Sequence, residues 1–292
     1  MNIAVLDIGG TSIKSGIYRN GKLEEKKETP TEAQLGGAHV MKNAIEILKS
    51  YKDFDRIGIS TAGQVDSEKG IIRYANSNIP GYTGTDIRGI LTSEFGVPVA
   101  VENDVNAAAL GEAGFGAGRE YNDFLCLTYG TGVGGAIVID KKIYTGSCFS
   151  AGEFGAVLVH PEDRNFEEDE FSGCYERYAS TTALVRCVQK VFPELDNGRA
   201  IFARIDEPEI QELVNEWIDE IVYGLTSLIH IFNPSCIVLG GGVMKQPYIA
   251  TNLESKLYHN IMPSFRNVRI KTAELGNDAG MLGAVRIAEA LP

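Results

Sequence analysis

Two stretches of the chain share one layout, and this repetition limits the fold more than any other feature. Ile3-Ala4-Val5-Leu6 reads as an apolar strand that ends in Asp7 and turns at Gly9-Gly10-Thr11. An alternating run follows from Ser12 to Ile17, which predicts a second strand. Asn20-Gly21, a strong hairpin signal, leads into a third strand over residues 22–29. About 120 residues later the pattern returns. Phe124 to Thr128 is an apolar strand, Gly130-Thr131-Gly132-Val133-Gly134 is a Gly/Thr turn, and Ala136 to Ile139 is apolar again. Asp140-Lys141-Lys142 then turns the chain toward a third strand. Two related meanders predict an internal duplication.

Each turn alone is an ordinary Gly-rich hairpin. As a pair, facing each other across a cleft, they can bring bare backbone N–H groups to one polyphosphate. The first turn is no P-loop, because neither a GK[ST] sequence nor a helix follows it. Thr11 adds a hydroxyl and Lys14 a positive charge, and Asp7 at its strand end can hold a hydrated Mg²⁺. A third bare stretch, Gly240-Gly241-Gly242, ends the buried strand that starts at Cys236. Backbone that open is usually required by a ligand or a close helix.

Between the two meanders, Val97 to Val101 is strand-like and Ala107 to Glu112 helix-like. At their junction stands Glu102-Asn103-Asp104-Val105-Asn106. Asp104 can accept a proton, while Asn103 and Asn106 can bond a polyol. The plainer reading makes Asp104 or Asn106 a helix N-cap. Residues 56–63 read as a buried strand ending in a turn at Gly63, and Asn78 lies in a polar loop with Tyr82, a composition that can line a sugar site. Glu153 offers another carboxylate in a Gly-framed loop, Ala151 to Gly155. Helices are expected over residues 31–51, 86–95, 176–192, 207–232, 248–259 and 279–291. Trp217, the lone tryptophan, reads as core.

Charge narrows the partners. With 27 basic and 39 acidic side chains the net charge is −12, which argues against a nucleic-acid partner. A nucleotide is different, since a few N–H groups and one metal ion can hold it. The five cysteines form no CxxC pair and fit a reducing compartment. No apolar run approaches a membrane span, so a cytoplasmic protein is expected. No two of the four histidines stand at metal-ligand spacing.

Taken together, these motifs resemble the ROK family of sugar kinases, over nearly the whole chain from Ile3 to Ala288. The resemblance implies the duplicated α/β fold of the actin-like, hexokinase-like (ribonuclease H-like) ATPases, with two domains around a cleft. It places an N-terminal domain at residues 1–106 and a larger one at 107–278, with the last helix, 279–292, packing back on the first. It implies that Asp7, Gly9, Gly10, Thr11 and Lys14 form one phosphate element and Gly130, Thr131, Gly132 and Gly134 the other, with Gly240, Gly241 and Gly242 near the nucleoside. Asp104 corresponds to the family's base, and Asn103, Glu153 and Glu176 to positions that touch sugar. ATP and Mg²⁺ are the implied cofactors. A homodimer is the default expectation.

The chain departs from the family pattern in two linked ways. Ala156 stands where many members carry a histidine, and of the CxCGxxGC zinc cluster only the tail Gly173-Cys174-Tyr175-Glu176 remains. No zinc is therefore expected. Zinc-less members with this layout include β-glucoside kinases and bacterial N-acetylmannosamine kinases. Residues 123–128 and the Glu153 loop look like the former, and residues 60–63 and 79–82 like the latter. The family also contains sugar-responsive transcription regulators with an added helix-turn-helix, but only Met1 and Asn2 precede the first strand here. The sugar-type motifs likewise argue against a filament-forming actin-like ATPase.

Overall fold

A computed structural model describes residues 1–292. The strands are β1 (Ile3–Ile8), β2 (Ser12–Arg19), β3 (Lys22–Pro30), β4 (Arg56–Thr61), β5 (Gln64–Asp66), β6 (Ile71–Tyr74), β7 (Val99–Asn103), β8 (Phe124–Tyr129), β9 (Val133–Ile139), β10 (Lys142–Ile143), β11 (Cys236–Gly240) and β12 (Arg269–Thr272). The helices are α1 (Gly37–Lys49), α2 (Ile87–Phe95), α3 (Asp104–Phe115), α4 (Tyr175–Ala179), α5 (Thr181–Gln189), α6 (Gly198–Phe202), α7 (Pro208–Phe232), α8 (Pro247–Asn260) and α9 (Ala279–Glu289).

The duplication is visible in the sheets. One runs β3-β2-β1-β4-β7 and the other β10-β9-β8-β11-β12. Each is an antiparallel meander extended by two parallel strands. The fold is thus mixed α/β, and the chain divides into two compact units. The first holds residues 1–120, 138–151 and 277–292; the second holds 121–137 and 152–276.

In the first unit, β1 alternates between two cores, as the period of a strand requires. Ala4, Leu6 and Ile8 pack with Val40, Met41, Leu48 and Leu91 from α1 and α2. Ile3 and Val5 pack on the other face with Met281, Ala284, Val285 and Ala288 of α9. In the second unit, α7 buries Ile210, Val214, Trp217, Ile221, Leu225 and Leu228, the spacing of one helical face. Trp217 is core, and its Nε1 donates to the carbonyls of Ala179 and Ser180.

Two expected helices are interrupted. The segment 31–51 first makes a short 3₁₀ turn at Ala33–Leu35, and α1 starts only at Gly37. Gly36 takes φ 89°, and the Gly37 N–H donates to the Pro80 carbonyl at 2.8 Å. A Cβ at Gly37 would lie 2.9 Å from the backbone of Tyr82, so the chain is pressed against the 80–82 loop there. The segment 176–192 breaks at Ser180, whose side chain caps α5 by accepting from the Ala183 N–H.

Candidate active site

Parallel pairing brings the polar ends of three strands into one row in the first unit. Asp7 of β1 is paired with Ser60 of β4, and Thr61 of β4 with Asn103 of β7. These are the C-terminal ends of the strands, where open α/β sheets bind ligands. Ser60 Oγ donates to Asp7 Oδ1 at 2.7 Å, and Lys14 Nζ stands 3.8 Å from Oδ2. The carboxylate also lies against Gly280 in the first turn of α9, where a Cβ would be 2.6 Å from Oδ1. Burial pushes the Asp7 carboxyl above the usual range, and Ser60 and Lys14 pull it back.

Asp104 opens α3, immediately after Asn103 ends β7. Asn103 Oδ1 accepts from the N–H groups of Val105 and Asn106, at 3.0 and 3.1 Å. Its Nδ2 donates to the Gly63 carbonyl and to Asp104 Oδ1, both at 2.9 Å. Both donors and both lone pairs of that amide are therefore engaged. Asn103, not Asp104, is the N-cap. Glu102 is buried and accepts at Oε1 from the Asn103 N–H and from Asn106 Nδ2, so Asn106 is also committed to the junction.

Asp104 keeps some solvent contact but is closely surrounded, and its carboxyl is raised to about 6. Burial is the main cause and the negative charge of Asp7 the second; donation from Val105 and Asn103 works in the opposite direction. Both of those neighbours donate to Oδ1, so Oδ2 receives no hydrogen bond from either. The first glycine turn is closed by Gly9 N–H to the Ser12 carbonyl, and Thr31 bonds both Gly9 and Thr11. A Cβ at Gly10 would meet nothing within 4 Å, so the outer backbone of this turn is open. Asn78 lies in an exposed loop, where its N–H donates to Asn76 Oδ1. No bond links it to the Asp7–Asp104 cluster.

The second unit holds the other glycine segments. The Gly130 N–H closes its turn on the Gly132 carbonyl, and Gly134 lies in β9. Gly241 takes φ 110°, with its would-be Cβ 2.2 Å from the Tyr129 carbonyl, so the third glycine run lies directly on the second turn. Beside them is a cavity of about 730 Å³ lined by Gly130, Thr131, Thr181, Asn197, Arg199 and Gly242. That volume suits a small-molecule ligand. A cavity of about 760 Å³ also lies between α1 and α2, but none of the expected site residues line it. Glu153 precedes a 3₁₀ turn at Phe154–Ala156. Glu176 Oε2 accepts from the Val133 N–H at 3.0 Å, which places this carboxylate at the second glycine turn.

The segment around Gly173-Cys174-Tyr175-Glu176 is held by arginines. Arg164 Nη1 donates to the carbonyls of Glu170 and Ser172 and approaches Cys174 Sγ at 3.3 Å. Arg177 forms a forked pair with Asp169 at 2.6 and 2.8 Å. Ser60, Glu102, Thr181 and Arg199 stand beside the expected site residues, and sequence reasoning missed them. A polar residue at the end of an apolar strand, as at Ser60, is the one signal that could have found any of them.

The chain is similar to known proteins over nearly its whole length. A profile described as the ROK family matches residues 3–290. A β-glucoside kinase from Listeria innocua is 34% identical, covering 98% of this chain and 96% of its own. A Listeria monocytogenes protein regarded as a candidate N-acetylmannosamine kinase superposes with a TM-score of 0.88 at 31% identity, covering 99% of each chain. A ROK glucokinase from Streptomyces griseus, solved with glucose and AMPPNP, superposes with a TM-score of 0.83 at 28% identity, again over 99% of each chain. The duplicated sheets are those of the actin-like, hexokinase-like fold, and the chain belongs to the ROK family.

Proposed function

We propose that the protein is an ATP-dependent sugar kinase, which transfers the γ-phosphoryl group to a sugar hydroxyl, O6 of a hexose unit. The leading substrate class is a β-glucoside or glucose; the similarity in fold to the Listeria monocytogenes protein keeps N-acetylmannosamine as a second reading. The observation that carries the proposal is Asp104, a proton acceptor fixed through one oxygen at a strand end. Phosphoryl transfer depends mainly on positioning and neutralised charge, with one group to take the hydroxyl proton. Asp104 Oδ2 takes that proton, and Asn103 and Glu102 hold the carboxylate still.

In this reading the nucleotide lies against Gly130, Thr131, Gly132 and the Gly240–Gly242 run in the second unit. Gly9, Gly10, Thr11 and Lys14 of the first unit supply N–H groups and charge for phosphate. On the sugar side stand Gly63, Asn78 and Asn103 in the first unit, where the engaged Asn103 amide holds Asp104 in place, and Glu153 and Glu176 in the second. The donor set at Asp7, one carboxylate beside a hydroxyl, fits a hard, hydrated cation such as Mg²⁺. Mg²⁺, when bound there, neutralises charge on the phosphates. Zinc is not part of the proposal, because a guanidinium already engages Cys174. No helix is long and apolar enough to cross a membrane. We place the enzyme in the cytoplasm as a homodimer.

A coupled assay of ADP release across glucose, cellobiose, aryl β-glucosides and N-acetylmannosamine tests the proposal. Turnover with β-glucosides or glucose is expected. Turnover with N-acetylmannosamine alone would select the second reading, and silence with every sugar would remove the kinase.

A pH dependence follows as well. Asp104 must be ionised to act, and its carboxyl titrates near 6. At saturating MgATP, kcat/KM for sugar is expected to fall about tenfold per pH unit below roughly pH 6, since a single base governs the limb. A profile flat down to pH 5 would contradict this assignment.

A further inference from the structure

We propose that Glu176 is a positioning residue for the nucleotide-binding turn, and so ties the sugar side of the second unit to its ATP side. The inference rests on the kinase reading above, but it gives Glu176 a part in holding nucleotide even when no sugar is present.

The turn between β8 and β9 is held from one side by a single segment, 175–181. Tyr175 and Tyr129 share a hydrogen bond through their hydroxyls at 2.8 Å, and Tyr175 is anchored to the Ile221 carbonyl of α7. The Thr181 N–H donates to the Gly130 carbonyl at 3.0 Å, and Thr181 Oγ1 donates to the Tyr129 carbonyl at 3.0 Å. Between these anchors, Glu176 Oε2 accepts the Val133 N–H at 3.0 Å. That N–H belongs to the first residue of β9, directly after the turn. Without a carboxylate there, a part-buried donor loses its partner.

The glycines of the turn fit this arrangement. A Cβ on Gly132 would lie 2.1 Å from Glu176 Oε2 and 2.8 Å from its Cδ, so only glycine lets the carboxylate reach Val133. A Cβ on Gly155, in the loop that carries Glu153, would lie 2.4 Å from the Val133 carbonyl and 3.4 Å from Glu176 Oε2. The Glu153 loop, Glu176 and the Gly130–Val133 turn therefore meet at one point. Arg177 Nη1, 3.5 Å from Glu176 Oε1 and forked to Asp169, steadies the other oxygen. A movement of Glu176 toward a sugar hydroxyl must release or reshape the turn that receives phosphate.

The test is the affinity for MgADP, measured by calorimetry on the full chain without sugar. Glu176→Ala, which removes the acceptor, and Glu176→Asp, which shortens it, are expected to weaken binding roughly five- to tenfold, the scale of one lost hydrogen bond of ordinary strength. Glu176→Gln keeps an acceptor oxygen at the same reach and is expected to stay within about twofold. KM for ATP should rise in the same order. If Glu176→Ala does not fold, the Asp and Gln variants decide between themselves. Equal MgADP affinity in all variants, with only the sugar KM raised, would overturn the inference and leave Glu176 a sugar ligand alone. Failure of the unaltered protein to bind any adenine nucleotide would instead bring down the kinase reading, and this inference with it.

Discussion

Asp104→Asn is expected to fold normally, bind nucleotide and sugar, and lose roughly a hundred- to ten-thousand-fold in kcat, the range of a missing general base. The substitution is close to isosteric. Its amide oxygen can stay at the Oδ1 position and keep the bonds from Asn103 Nδ2 and the Val105 N–H. The NH₂ group then falls at the Oδ2 position, where it can donate but cannot take a proton. Stability should move the other way. The folded protein holds the Asp104 proton more tightly than the unfolded chain does, since its carboxyl is raised from 3.8 to about 6. Ionising it therefore costs folding free energy at any pH above about 6, and the cost fades as pH falls toward 3.8. Asn carries no such cost, so the variant at pH 8 should melt no lower than the unaltered protein. Single-turnover kinetics and a melting curve on one preparation separate the two effects. Turnover near that of the unaltered enzyme would remove Asp104 from the chemistry.

Much of this site can be read from local pattern, because its main residues stand where apolar periodicity breaks. Asp7 and Asp104 each stand just past an apolar run, and both glycine turns follow apolar strands. What could not be read depends on register and on packing between distant segments. Ser60 matters because parallel pairing sets it beside Asp7 across 53 residues of sequence. Thr181 and Glu176 reach the second turn only after α4 and α5 fold onto it, and Arg199 lines a cavity formed by segments far apart in the chain. The broken helices are a different case. Gly36-Gly37 and Ser180 are recognisable stop and cap signals, but the apolar periodicity continues across them and hides the break. Residues 157–174 show no period at all, and arginine pairs that no pattern announces hold them in place.

Gly283→Ala is expected to be the most damaging single methyl that can be added to the first unit. In α9 the would-be Cβ lies 1.7 Å from the Ala107 carbonyl oxygen and 2.3 Å from its carbon, both backbone atoms of α3. Neighbouring contacts are also too close for a Cβ: Gly111 of α3 would meet the Ala279 carbonyl at 2.4 Å, and Gly58 of β4 the Ala284 carbonyl at 2.1 Å. Because α9 rests backbone to backbone on α3 and on β4, it cannot retreat from one without striking the other. Overpacking of this kind costs about 3 kcal/mol, and the better helix propensity of alanine returns about 1. The melting temperature should fall by roughly 4–8 °C, given about 2–4 °C per kcal/mol in chains of this size. Activity should drop further than stability, because α3 starts at Asp104 and the first turn of α9 touches Asp7 through Gly280. A shift of about 1 Å between the helices moves both carboxylates, and such misplacement can cost about a hundredfold. Gly114→Ala, on the facing helix α3, is the control, since its Cβ would meet only the movable side chain of Arg286 at 2.8 Å. That variant should melt within about 2 °C of the unaltered protein, a surface-type change. If both alanines behave alike, the close approach of α3 and α9 does not set the geometry of the site.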